Sequence, residues 1–197
     1  MIKGLKICGV SDPKTLNYLL NHNYPPTMIG FITNWEASKR FVELDKLKKL
    51  INVDKRKINF VSVLVNPTDN VLENIKDLNF DYYQLYDVDP KRTIKIKKKY
   101  KIKIISALTI SDKEDVNKYK DYSKISDIIL FDSKGYHKSE SFDHNLLDEI
   151  PKELNKMIAG NIQIDDIPSL KDKEYIINLA ALPFIPDSYY FPRKFFD

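Results

Sequence analysis

Short apolar runs and amphipathic stretches alternate along the whole chain, and their spacing predicts its elements. Residues 5–10 read as a strand. Asp12 and Pro13 then open a helix, Asp as N-cap and Pro at the first helical position, with Leu16, Leu19 and Leu20 on one face. A second strand is expected over 28–33, followed by Leu44, Leu47, Leu50 and Ile51 at helical spacing. The β-branched run 60–65 is a third strand, and Thr68 caps a helix carrying Val71, Ile75 and Leu78. Strand four is expected over 81–86, with Asp89 and Pro90 opening its helix. Strand five spans 102–108, and Ser111 to Glu114 has capping-box spacing before the next helix. Strand six covers 127–131, with a polar segment to His144 and a helix over 146–154. Strand seven is placed at 157–160, a helix near 164–170, and strand eight at 175–180.

Eight strands, each but the last followed by a helix, predict a parallel sheet covered by helices. Eight repeats favour closure into a (β/α)8 TIM barrel over an open doubly wound sheet. The first strand–helix turn lacks a Gly-x-Gly-x-x-Gly fingerprint, which argues against a dinucleotide site. At 197 residues the barrel is compact, a single domain spanning 1–197. Its last helix is expected to be short or missing, because 183–197 contains Pro183, Pro186 and Pro192 and no helical period.

Composition narrows the function. Hydrophobic residues at 43% and aromatics at 12% can fill a core, which excludes a wholly disordered chain. No apolar run approaches the roughly 20 residues that cross a bilayer. Met1–Lys6 runs straight into a strand pattern and lacks a signal peptide's apolar stretch. A lone cysteine makes neither an intramolecular disulfide nor a cysteine-rich metal site, so the expected compartment is the cytoplasm. Lys+Arg number 32 against 28 Asp+Glu, a net charge of +4, and all but Arg40, Arg56, Arg92 and Arg193 are lysines. The densest run, 95–101, alternates with apolar residues and reads as a solvated helix face. No nucleic-acid partner and no membrane are expected. His22, His137 and His144 have no ligand spacing, so no metal is expected either.

In a barrel of this kind, chemistry sits at the C-terminal ends of the strands. That rule selects Cys8, the second loop from Asn34 to Arg40, Gln84, Asp87, Ser106, Asp132, Gly160, Asn161 and Asn178. Cys8 and Asp132 would project from opposite sides of one mouth. A thiolate can act as a general base, and a carboxyl kept protonated can face it as the acid. Such a pair suits proton transfer on a small substrate. The competing reading of Cys8 is a small buried hydrophobe. Trp35 either covers an aromatic substrate or, the favoured reading, anchors its loop. Tyr82, Tyr83 and Tyr86 alternate along a strand and read as packing residues.

Lys6-Ile7-Cys8-Gly9 followed by Asp12-Pro13 resembles the opening of the phosphoribosylanthranilate isomerase family of tryptophan biosynthesis. Ile29-Gly30-Phe31 resembles its second strand, and Ser38-Lys39-Arg40-Phe41-Val42 its Ser-x-Arg-x-Val loop. Phe60 to Asn66 fits the third strand, and Tyr83-Gln84-Leu85-Tyr86 is similar to Val-Gln-Leu-His. Leu130-Phe131-Asp132-Ser133, Phe142-Asp143 and Ile158-Ala159-Gly160-Asn161-Ile162 continue the series in order. The resemblance implies a (β/α)8 isomerase that needs no metal or organic cofactor. It implies an Amadori rearrangement of a small phosphorylated substrate, N-(5-phosphoribosyl)anthranilate. Asp132 would protonate the ring oxygen, Cys8 would take the proton from C2, and Arg40 would hold the anthranilate carboxylate. Gln84, Gly160 and Asn161 would bind substrate.

The chain departs from the family around the phosphate. The sixth loop reads Gly135-Tyr-His-Lys-Ser-Glu-Ser141, with one glycine where several are usual, and His144 replaces a Trp. The Gly-Gly after strand seven is Gly160-Asn161, and the Asp-x-Ser-Ser-Gly of strand eight is Asn178-Leu-Ala-Ala-Leu. An isomerase holding phosphate through Asn161, Ser139 or Lys138 is one reading. A barrel with another small substrate, or a non-catalytic relative with an eroded phosphate site, are the others.

Overall fold

The strands form where the apolar runs predict. The computed structural model describes residues 2–134, 141–170 and 173–180. Eight parallel strands close a barrel in chain order: β1 Gly4–Cys8, β2 Met28–Ile32, β3 Asn59–Val65, β4 Tyr82–Tyr86, β5 Lys103–Ile110, β6 Ile128–Ser133, β7 Lys156–Ile158 and β8 Ile176–Ala180. Closure is made by β8 on β1, in register from Gly4↔Ile176 to Cys8↔Ala180. Outside lie α1 Pro13–Asn21, α2 Leu44–Leu50, α3 Asp69–Ile75, α4 Pro90–Tyr100, α5 Lys113–Asn117, α6 Tyr119–Tyr122 and α7 Ile167–Leu170. No helix among the described residues is long and apolar enough to cross a membrane.

Caps fix where helices begin. The carboxyls of Asp12 and Asp89 accept from the N–H groups of Thr15 and Arg92 at 2.9 and 3.0 Å. Asp112, not Ser111, caps α5; the Ser111 hydroxyl instead donates to Asp115 Oδ2 at 2.7 Å. The helix expected over 146–154 is one 3-10 turn, His144–Leu147, because Pro151 has no N–H to continue a ladder. The helix expected near 164–170 is a 3-10 turn, Ile164–Asp166, leading into the short α7. The expected short or missing eighth helix falls outside the described residues.

Both faces of the sheet are buried. Alternate residues such as Phe31, Phe60, Leu64 and Ile104 face the helices, while Met28, Val61, Ile105, Leu130 and Met157 fill the barrel. At the N-terminal end one device is used twice. Asp81 Oδ2 accepts from Phe60 N and Lys55 Nζ, both at 2.7 Å. Asp127 Oδ2 accepts from Ile104 N at 2.8 Å and Lys97 Nζ at 2.9 Å. Each carboxylate ties the start of one strand to its neighbour, which places stability at this end and frees the other for chemistry.

Candidate active site

The two-residue period of β1 decides which side chains enter the barrel. Leu5 and Ile7 pack outward against the helical layer, and Lys6 and Cys8 point in. Gly30 stands opposite Cys8 on β2. A Cβ there would lie 2.8 Å from Lys6 Nζ and 3.0 Å from Cys8 Sγ, so the missing side chain makes room for both. Lys6 is fully buried, and its ammonium donates to Asn178 Oδ1 across the β1–β8 seam at 2.8 Å.

The loop after β2 brings Arg40 to the same end. Phe41 N bonds to Ser38 O at 3.0 Å and Arg40 N to the Ser38 hydroxyl at 3.2 Å, turning the chain back. The guanidinium lies across Gly9, and Nη1 donates to the carbonyl of Cys8 at 3.1 Å. Trp35 packs against the barrel interior, which accords with a loop anchor.

Across the mouth, Asp132 ends β6. It keeps part of its surface open, but burial of its carboxyl pushes its pKa up. Hydrogen bonds from Tyr86 and the Ser133 N–H, and the charge of Lys6, act against that rise. Tyr86 Oη donates to Asp132 Oδ2 at 2.7 Å and accepts from Gln84 Nε2 at 3.2 Å. Burial, aided by the negative charges of Asp132 and Cys8, raises the Tyr86 phenol far above its ordinary range. The phenol is thus bonded to Asp132 and lies in the same interior cluster as Cys8.

The remaining candidates divide. Gln84 has no exposed surface and lies beneath Tyr86 as its partner, with its Oε1 unpaired. Ser106 is mid-strand, because β5 runs on to Ile110; it turns away from the barrel and shares a 2.7 Å hydrogen bond with Ser126. Gly160 and Asn161 follow β7 with φ of 92° and 56°. A Cβ at Gly160 would sit 2.6 Å from Ser133 Oγ, so both backbone and space demand glycine. Asn161, among the few residue types that tolerate this region, continues the turn. Lys138 and Ser139 lie outside the described residues. Sequence reasoning missed two groups: Lys6, given no role there, and the Tyr86 hydroxyl, read as packing. Among the described residues no three of His, Cys, Asp and Glu are placed to hold a metal ion.

The sequence model of one family, N-(5'-phosphoribosyl)anthranilate (PRA) isomerase, matches residues 5–179. The chain belongs to that family. A PRA isomerase of Rhizobium rhizogenes is 32% identical over 171 residues, 82% of this chain and 76% of the relative. Among solved structures, an engineered monomer of the dimeric Thermotoga maritima PRA isomerase superposes with a TM-score of 0.78 at 19% identity, covering 95% of this chain and 93% of that one. A PRA isomerase in complex with reduced 1-(o-carboxyphenylamino)-1-deoxyribulose 5-phosphate gives a TM-score of 0.77 at 18% identity, covering 94% and 91%. These structural likenesses carry the fold, and the sequence relatives carry the family.

Proposed function

We propose that the chain performs the family's reaction, the cofactor-independent isomerisation of N-(5'-phosphoribosyl)anthranilate in tryptophan biosynthesis, with Asp132 as acid and Cys8 as base. Asp132 gives its proton to the ribose ring oxygen. The anilino nitrogen lone pair expels that oxygen from C1 and leaves an open-chain iminium. The Cys8 thiolate then takes the proton from C2, and the C–H electrons neutralise the iminium. Ketonisation of the resulting enol, with protonation at C1, gives 1-(2-carboxyphenylamino)-1-deoxyribulose 5-phosphate. Atoms and electrons balance without a redox partner.

One observation carries this reading. A carboxyl whose burial favours the protonated form is bonded to a phenol that shares one interior cluster with a thiol, at the end of the barrel where such folds do chemistry. Arg40, a planar fork held beside Cys8, is suited to the anthranilate carboxylate. Gly160 and Asn161 are the groups we assign to the phosphate. Asn161 supports that assignment by taking the left-handed conformation a second glycine would take. A base that must be a free thiol fits a reducing compartment such as the cytoplasm.

The test is direct. Purified protein receives phosphoribosylanthranilate generated in place, and loss of substrate fluorescence is followed. Turnover that disappears in both Cys8→Ala and Asp132→Asn is expected. A folded parent without turnover, or a Cys8→Ala variant of parental rate, overturns the assignment.

A further inference from the structure

The Tyr86 hydroxyl is held between two partners. It accepts from Gln84 Nε2 at 3.2 Å, which leaves its single proton to donate to Asp132 Oδ2 at 2.7 Å. Gln84 has no exposed surface and Tyr86 is 8% exposed, so neither exchanges partners readily with water. An oxygen that accepts a short hydrogen bond is a poor place for the carboxyl's own proton. That proton is therefore directed to Oδ1. Burial holds the phenol in its protonated form, so it does not serve as the base, and the proton it carries is already donated to Asp132.

We propose that Tyr86 is a positioning residue that confines the transferable proton of Asp132 to Oδ1 and fixes the carboxyl's rotation, with Gln84 setting the direction of the phenol's own proton. The proposal rests on the reading of Asp132 as the acid. Without Tyr86 the carboxyl would share its proton between two oxygens and keep the Ser133 N–H as its remaining hydrogen-bond donor. With it, Oδ2 is committed to the phenol and the transferable proton is placed on the other oxygen. The strand pattern explains the arrangement: Gln84 and Tyr86 are two residues apart on β4 and both point into the barrel, so one strand supplies the donor chain.

Tyr86→Phe removes one oxygen and keeps the ring. Steady-state kinetics across pH are expected to show kcat lower by about 10- to 100-fold, with KM little changed. The basic limb of the kcat/KM profile should move to higher pH, because the ionised carboxylate loses a donor and holds its proton longer. A merely structural phenol would lower activity without moving that limb. Gln84→Met, which frees the phenol's rotor, should shift the limb in the same direction by less, and it serves if the Phe variant does not fold. A parental kcat and an unmoved limb in a folded Tyr86→Phe overturn the proposal and leave the isomerase reading intact. An inactive parent would instead defeat the isomerase reading itself, and an active Asp132→Asn the reading of Asp132 as its acid.

Discussion

Gly30→Ala separates the geometry of the mouth from the stability of the barrel. Gly30 does not use a left-handed backbone, so alanine fits the chain, and the conflict is purely one of space. The new methyl would lie 2.8 Å from Lys6 Nζ, 3.0 Å from Cys8 Sγ and 3.1 Å from Lys6 Cε. Lys6 can retreat only by straining its 2.8 Å hydrogen bond to Asn178, and Cys8 only by rotating its thiol. Overpacking of this kind costs about 1–3 kcal/mol, offset by about 0.4–1 kcal/mol from a less flexible unfolded chain. The net loss is therefore no more than about 2.5 kcal/mol, a fall in Tm of at most about 10 °C at this size. Catalysis should suffer far more, since displacing a reacting group by about 1 Å can cost about 100-fold in rate. Thermal unfolding and steady-state turnover on the same preparation give both numbers. Gly4→Ala is the control: its methyl would meet Thr27 Oγ1 at 2.6 Å at the opposite end, so it should cost stability and leave kcat unchanged. A folded Gly30→Ala within about twofold of parental kcat would show that the thiol's position does not matter to the reaction.

Arg40→Ala should raise KM by about tenfold or more with kcat much less changed, because it removes binding shared by ground and transition states; a parental KM would refute its role in binding the carboxylate. Asp127→Ala breaks the link between β5, β6 and Lys97 and should cost about 1.5–3 kcal/mol in urea unfolding with KM unmoved. Asp132→Asn should abolish turnover yet gain stability relative to the parent as pH rises. The sign follows from the raised pKa in the folded state: the native protein binds this proton more tightly than the unfolded chain. The parent's contribution from this site is fully present in acid and is lost as pH rises through the raised folded value. Unfolding at pH 4 and pH 8 checks it, and an identical difference at both would refute the burial argument.

Much of this was legible in the sequence, and the exceptions have physical causes. The strands could be found because each is an apolar run, and several are followed by a helix start signal, as at Asp12-Pro13 and Asp89-Pro90. Cys8, Arg40 and Asp132 could be picked out because barrel chemistry collects at strand ends. What stayed hidden was which face of each strand points inward. In a barrel both faces are buried, so alternation does not separate them. Lys6 draws no assignment from the sequence and Tyr86 reads as packing, yet both are interior neighbours of the candidate pair. Ser106 failed for the opposite reason: β5 is longer than its apolar run, which turns a supposed strand end into an outward-facing midpoint. The helix after β6 is shorter than the spacing of Leu146 and Leu154 suggests, because Pro151 cannot donate to a helical ladder.

The pairing of Lys6 with an amide gives the mouth its charge. Had residue 178 been a carboxylate, as in the family pattern, the ammonium would be matched inside the barrel and contribute little beyond its own pair. Asn178 accepts the hydrogen bond at 2.8 Å and leaves the positive charge uncancelled. A buried ammonium with a neutral partner is costly to fold around, and hydrophobic replacements of such groups are often no less stable. Its place therefore needs a reason other than packing. Its neighbours supply one: Lys6 shares the space over Gly30 with Cys8, and its charge acts on Asp132. With Arg40 at the rim, the site carries two cations against one carboxyl that burial inclines towards the neutral form. That balance suits the proposed substrate, which carries a carboxylate at one end and a phosphate at the other. The same cation opposes the rise in the Asp132 pKa, and burial outweighs it, so the carboxyl's pKa lies above its ordinary value.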